Sequence, residues 1–336
     1  MQAPVYIFDP TLTDSQSKVR GIGRYVQIIK ENCPPDWIFT GTLKDIPSHA
    51  ILIQPFYTFY QPPVIRGSIT DRQIAVIHDV IPLKYPESYP IGMKALAYSL
   101  WQQWNLRYFD IIVTDSETSK KDIITYLKVK PEKIQVLFPT LANCFWNNPI
   151  KRTIPSEYCL YVGDGTWNKN LSTLAKAIKK TNITCVFAGM IFVDANPDNC
   201  THPWQADLRE FLREAQGDKR FVFAGYVSDE ELLKLYVQAK LNILLSRDEG
   251  FGFSYVEASS QGCPSLLSDK PIFHEIAEQN ASFVDCESAE KVAEVITALM
   301  GNPQKLASLS SGALEQAKKY NQESFKKQLL SIVYPY

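Results

Sequence analysis

The feature that most constrains this chain is an alternation of short apolar runs with helical patterns, and it occurs twice. In the first half VYIF (5–8), AILIQP (50–55), IAVIHD (74–79), DIIVTDS (110–116) and KIQVLFP (133–139) read as buried strands. Between them fall a helix from about Arg24, a helix carrying Ala95, Leu96, Tyr98 and Leu100, and SETSKKDIITYL (116–127) with Ser116 as its N-cap. The second half repeats the pattern with strands YCLYVG (158–163), TCVFAG (184–189), RFVFAG (220–225), LNILLS (241–246) and PSLLSD (264–269). Its helices are read at 171–180, 205–216, 228–239, from about Ser254, and at 290–300. Strand and helix in alternation imply an α/β protein with parallel sheets.

Two such halves suit a chain of 336 residues. Domains are expected at 1–140 and 157–318, with a Pro- and Asn-rich linker at 141–156. A terminal helix, 319–336, is free to return to the first domain. Ligands of open parallel sheets bind beyond the carboxyl ends of the strands, so two facing Rossmann-like sheets would form an interdomain cleft.

Several function classes fall away. Lys and Arg total 35 against 36 Asp and Glu, so no basic field points to nucleic acid. Seven scattered cysteines with no C-x-x-C argue against a disulfide framework and a zinc ribbon, and free thiols suit a reducing cytosol. There is no Walker GKS or GKT, no HExxH and no D-x-D, so no metal site is expected. The opening MQAPVYIFDP has no basic n-region and reads directly as a strand. No run of about 18 apolar residues suggests a membrane span, which leaves peripheral membrane contact open.

The richest segment is SRDEGFGFSYVEASSQGCPSLLSD (246–269). It sets Glu249 at a strand end, Gly250 and Gly252 in a turn, and Glu257 just inside a helix. Glycines let a ligand approach the backbone, a helix start suits a phosphate, and a carboxylate can hold a vicinal diol. The alternative is a Ser254–Glu257 capping box that needs no ligand, with Glu249 a solvated loop residue. Gly21 and Gly23 sit in the first strand–helix loop, but Val26 stands where a dinucleotide fingerprint needs its third glycine. His78 ends the strand IAVIHD, and Asp79 beside it faces the other way. Tyr57, Tyr60, Trp101 and Trp104 read as core or helix-packing residues, with an acceptor groove as the alternative.

In order along the chain, GIGRY (21–25), HDVIPLKYPE (78–87), TDSETSKKDI (114–123), VGDGTWNKNL (162–171), FAGYVSDEELLKLY (223–236) and EGFGFSYVE (249–257) resemble glycosyltransferase family 4, the retaining enzymes of the GT-B fold. The last of these matches the family's E-x7-E. The resemblance implies that Glu249 meets the donor sugar near the reacting carbon and that Glu257 holds the nucleotide ribose. It implies that the backbone of Phe251, Gly252, Phe253 and Ser254 meets the diphosphate, and that Tyr226 and Val227 lie beside the base. Lys169 would neutralise the leaving diphosphate, and His78 would sit beside the donor sugar. Gly21 and Gly23 would belong to a loop closing on the diphosphate and acceptor. Asn168 stands where the family usually carries an Arg, and Arg24 or Arg247 is the candidate replacement.

The implied activity is transfer of a hexose from a nucleotide diphosphate sugar to a saccharide or lipid-linked acceptor in surface polysaccharide assembly, with retention. GDP-mannose is favoured over a UDP-sugar, no resident cofactor is implied, and the setting is the cytoplasm, with the inner face of the membrane left open. The alternatives are a nucleotide-sugar epimerase or hydrolase on the same fold, and a catalytically weak scaffold subunit, for which Asn168 is the hint.

Overall fold

The structure is a computed structural model that describes residues 3–14, 21–147 and 156–335. It divides into two units, Met1–Ala142 with Asn321–Tyr336, and Asn143–Tyr320.

The first unit holds six parallel strands: β1 (Val5–Phe8), β2 (Ile38–Thr40), β3 (Ile51–Gln54), β4 (Arg72–Val76), β5 (Ile111–Thr114) and β6 (Ile134–Val136). Their spatial order is β2-β1-β3-β4-β5-β6. Helix α1 (Gly21–Asn32) follows β1, α2 (Met93–Asn105) precedes β5, and α3 (Glu117–Leu127) follows it. Ser116 caps α3 by accepting from the Ser119 N–H. Leu52, Ala75, Ile77, Phe109, Ile112 and Ile123 form the core between the sheet and its helices.

The second unit begins with a short helix, α4 (Asn143–Asn147), inside the stretch expected as a linker. The rest of that stretch, 148–155, lies outside the described residues, as does most of the polar loop before GIGRY. The strands are β7 (Tyr158–Val162), β8 (Thr184–Ala188), β9 (Phe221–Gly225), β10 (Leu241–Leu244), β11 (Ser265–Ser268) and β12 (Ser282–Val284), all parallel. Their order is β12-β11-β10-β7-β8-β9. Cys159 of β7 lies in register with Cys185 of β8 and Leu241 of β10. Helices α5 (Leu171–Lys179), α6 (Ala206–Ala215), α7 (Asp229–Gln238), α8 (Phe253–Ser260), α9 (Pro271–Ala277), α10 (Ala289–Met300) and α11 (Pro303–Ala317) complete the unit. Ser228 and Glu231 form the capping box read for α7.

The final helix, α12 (Gln322–Val333), belongs to the first unit. The Arg72 guanidinium donates to its Ile332 carbonyl at 2.9 Å.

Four local readings change. Strands β2 and β12 are additional. Each has three residues, lies at a sheet edge and lacks the longer apolar run that marks β6, an edge strand of equal length. Strand β4 ends at Val76, so His78 lies in the following loop rather than at the strand's end. Gly21 and Gly23 lie within helix α1 rather than in a loop before it. Leu96 and Leu100, named among the apolar residues that marked this helix, are exposed, as is Trp104, read as a core or helix-packing residue.

Candidate active site

The strand order decides where chemistry can sit. Renumbered within its own sheet, the second unit has the doubly wound order 3-2-1-4-5-6, in which the winding reverses between β7 and β10. Loops leaving the carboxyl ends of those two neighbours diverge and open a crevice. The loop after β7 carries Lys169, and the loop after β10 carries Glu249. Their side chains meet there, Nζ to Oε1 at 2.6 Å.

The pair is built from both loops. After β7, a 3-10 turn at Trp167–Lys169 ends at Asn170, whose left-handed backbone (φ 56°) starts α5. The Asn170 amide is buried and donates to the Cys286 carbonyl at 2.7 Å, which fixes the turn. After β10, Ser246 donates its hydroxyl to Glu249 Oε1 at 2.7 Å, and the Glu249 N–H donates to Asp248 Oδ1 at 2.9 Å. Glu249 is therefore not a solvated loop residue; it is 8% exposed.

Asn168 ties the two loops together. Its amide donates to the Asp248 carbonyl at 3.0 Å, its side-chain oxygen accepts from Thr166 Oγ1 at 2.8 Å, and its backbone carbonyl accepts from the Arg247 N–H at 2.7 Å. A buried arginine here could not accept that hydroxyl bond. Arg247, one candidate for a second phosphate charge, donates to the Trp167 carbonyl at 2.6 Å and to Asp207 at 3.3 Å. Its guanidinium lies over the Trp167 ring at 5.0 Å. Its charge is engaged in holding α6 to the turn. The other candidate, Arg24, lies on α1 in the first unit, 3.4 Å from the Gln27 amide oxygen.

Helix α8 starts one step further on. Gly252 is its N-cap in the left-handed region, φ 92° and ψ 53°. A Cβ there would meet Ile276 Cδ1 at 3.0 Å and Phe273 Cε1 at 3.3 Å, so backbone freedom and space both select glycine. The helix begins at Phe253, which puts Ser254 at its second position and removes the Ser254–Glu257 capping box. Glu257 instead is buried on α8 and accepts the Tyr236 hydroxyl from α7 at 2.9 Å. Tyr236 was not singled out in the sequence, where it reads as one apolar position of a helical stripe. The first-turn N–H groups of α8, those of Phe253 and Ser254 among them, have no intrahelical acceptor and form the positive end of the helix dipole. Phe251 is buried against Phe253, at 5.3 Å between ring centroids. Tyr226 is exposed and, with Val227, links β9 to α7. Tyr161 underlies the crevice, fully buried, with its hydroxyl donated to the Asp164 carbonyl at 2.6 Å. Burial and the nearby carboxylates, Glu249 among them, push its pKa far up, so it stays neutral.

The first unit has its own cluster at strand ends. His78 after β4 faces the Asp115 carboxylate after β5 (Nδ1 to Oδ2, 2.6 Å) and the Pro55 carbonyl after β3 (Nε2 to O, 3.2 Å). Both ring nitrogens thus face acceptors, which suits the doubly protonated ring. Burial works against the imidazolium, but Asp115, Asp79 and the Pro55 carbonyl outweigh it and raise the His78 pKa above its usual 6.5. Tyr25 of α1 packs edge-on against the ring at 4.6 Å. Gly21 and Gly23 lie on that same helix, four and two residues before Tyr25. Asp115 and the Pro55 carbonyl thus favour the protonated ring, which makes His78 a poorer base. Among the described residues, no group of three or more His, Cys, Asp and Glu side chains is placed to hold a metal ion.

The family described as Glycosyl transferases group 1 matches residues 146–316, which include the crevice and both glutamates. The chain is similar to the O-antigen chain mannosyltransferase RfbU of Salmonella typhimurium, with 25% identity over 68% of this chain and 59% of the relative. It is also similar to the GDP-mannose:cellobiosyl-diphosphopolyprenol alpha-mannosyltransferase of Xanthomonas oryzae pv. oryzae, with 31% identity over 44% of this chain and 38% of the relative. The matched stretches thus span less than two thirds of these relatives. Among solved structures, a glycosyltransferase from Rickettsia africae superimposes with a TM-score of 0.67 at 14% identity, over 99% of this chain and 98% of the other. A sucrose-phosphate synthase from Thermosynechococcus elongatus does so at 0.66 and 15% identity, with 98% of each chain covered. At such identities the likeness is one of fold: each unit of this chain has the doubly wound sheet expected of a GT-B protein.

Proposed function

Because the chain belongs to the group 1 glycosyl transferases, we propose that it transfers mannose from GDP-mannose to a saccharide or lipid-linked acceptor, with retention, in surface polysaccharide assembly at a membrane face. The observation that carries this reading is the Lys169–Glu249 pair at the reversal point of the second sheet, next to the start of α8. One cation and one carboxylate suit the two charges that separate when a glycosidic phosphate bond breaks. In this reading Lys169 and the α8 N–H groups meet the departing diphosphate. Glu249 faces the sugar as positive charge grows at its anomeric carbon. Glu257, held by Tyr236, takes the ribose diol, and Tyr226 and Val227 flank the base. The acceptor hydroxyl attacks from the face the diphosphate leaves and passes its proton to the leaving phosphate oxygen, so configuration is kept.

The names of the relatives support mannose and its GDP donor. The buried ties of Asn168 explain its presence without recourse to a catalytically weak scaffold. The test is a thermal-shift comparison of GDP-mannose with UDP-sugars, followed by product analysis with a mannose acceptor. A rise in melting temperature with GDP-mannose and an α-linked product are expected. Stabilisation by UDP-sugars alone would overturn the donor assignment, and release of free mannose at equal rates with and without acceptor would favour a hydrolase.

A further inference from the structure

Helix α2 of the first unit is built inside out. Its buried side chains are Ser99, Gln102 and Asn105. Four of its large apolar side chains face solvent: Met93 is 89% exposed, Leu96 51%, Leu100 62% and Trp104 50%, while Tyr98 and Trp101 are half-buried. Their spacing of three, four and four residues puts them on one face, an apolar stripe of about 16 Å.

The inversion is locked by hydrogen bonds. The Gln102 amide donates to the Gln61 carbonyl at 3.0 Å, and the Asn105 amide donates to the Ile65 carbonyl at 2.6 Å. The Tyr57 hydroxyl donates to the Gln102 carbonyl at 2.7 Å. Turning the leucines inward would strip buried carbonyls of their donors. A stripe held outward in this way marks an interaction surface rather than misplaced core.

The charge around the stripe points to its occupant. From Ser88 to Phe109 the charged residues are Lys94 and Arg107, with no carboxylate. The Arg107 guanidinium lies 3.3 Å from the Trp104 ring centroid. Arg107 also shares a hollow with Lys128, Lys130, Lys133 and a single acid, Glu132. Lys94, Arg107, Lys128 and Lys130 are all exposed. Leucines and a tryptophan flanked by cations match the boundary between acyl chains and anionic headgroups.

We propose that the Met93–Leu96–Leu100–Trp104 face of α2, with its rim of Lys94, Arg107, Lys128 and Lys130, docks the protein on an anionic lipid bilayer. This rests on the reading of a lipid-linked acceptor above, which places the substrate at such a surface.

The intact chain is floated with vesicles of phosphatidylcholine alone and with vesicles containing roughly one-third phosphatidylglycerol. Flotation is expected with the anionic vesicles. Leu96→Glu with Leu100→Glu replaces two exposed leucines, leaves the buried amides in place, and should lower partition by at least about tenfold. Lys128→Glu with Lys130→Glu should lower it by at least about 25-fold, about fivefold for each lysine lost before the repulsion of the new carboxylates, and about 0.5 M salt should act in the same direction. The thermal shift by GDP-mannose should be the same in all these variants. If that shift is absent in the parent protein while flotation persists, the donor assignment fails and the docking surface stands. Failure of the parent chain to float, or flotation indifferent to the leucine substitutions, overturns the proposal. A self-associated protein that Leu96→Glu with Leu100→Glu turns into monomers would also overturn it, by giving the face to a second copy.

Discussion

Replacing Lys169 by Met, alone and with Glu249→Gln, separates a structural strut from a phosphate site. The two side chains meet at 2.6 Å and are 18% and 9% exposed. Breaking a fully buried pair from one side costs about 3–5 kcal/mol, because an uncompensated charge stays behind. Here Glu249 keeps the Ser246 hydroxyl and some access to water, so about 2 kcal/mol is expected for Lys169→Met. In a domain of this size that lowers the melting temperature by about 4–8 °C. Glu249→Gln on top of Lys169→Met removes the stranded charge, so the double variant should recover most of the loss. Calorimetry then reads binding. Loss of a charged hydrogen bond to the diphosphate should weaken GDP about 10- to 100-fold in Lys169→Met. Glu249→Gln alone should leave GDP affinity nearly unchanged while kcat falls by about two orders of magnitude, since its interaction grows only as the sugar gains charge. If Lys169→Met loses stability but binds GDP normally, the lysine is a strut and the phosphate site is elsewhere. If Glu249→Ala weakens GDP as much as Glu257→Ala does, the assigned roles are wrong.

Glu257→Ala should weaken nucleotide binding itself, and Tyr236→Phe should do so by a smaller factor of about 3–10 by freeing the carboxylate it holds; equal affinities across the set in calorimetry would rule out the ribose role. Gly252→Ala should cost about 1–2 kcal/mol for its left-handed backbone and somewhat more for the contact with Ile276, read as a lower denaturation midpoint. Because the His78 pKa is raised in the folded protein, its contribution to stability is present in full below about pH 6.5 and fades as pH climbs through the raised value. The stability difference between the parent and His78→Gln should therefore shrink with rising pH in urea titrations, and a gap that widens would refute a raised His78 pKa. Transfer should persist in excess EDTA, since a lysine and backbone amides are assigned to the diphosphate; activity lost on chelation and restored by manganese would contradict that assignment.

The apolar runs determined the α/β class, the two-part organisation and ten of the strands, because strands buried on both faces, such as β3, β10 and β11, must be continuously apolar. Strands β2 and β12 were hidden because IFT and SFV are bounded at once by Gly41 and Asp285, whereas β6, an edge strand of the same length, runs on into Leu137 and Phe138 and so shows a longer apolar run. The spacing of Glu249 and Glu257 and the lysine after β7 were equally legible, because loops after strand ends carry chemistry in any parallel sheet. What the sequence left open was adjacency. Strand order alone sets β7 beside β10 and so brings Lys169, 80 residues away in the chain, onto Glu249. Tyr236 behind Glu257 and Asp115 behind His78 are likewise contacts between separate elements, invisible to local pattern. Helix α2 shows the limit most clearly. Its apolar residues recur at helical spacing, which fixes a face but not which way that face turns. The backbone carbonyls of Gln61 and Ile65 decided it by claiming the polar side, and the leucines were left facing solvent.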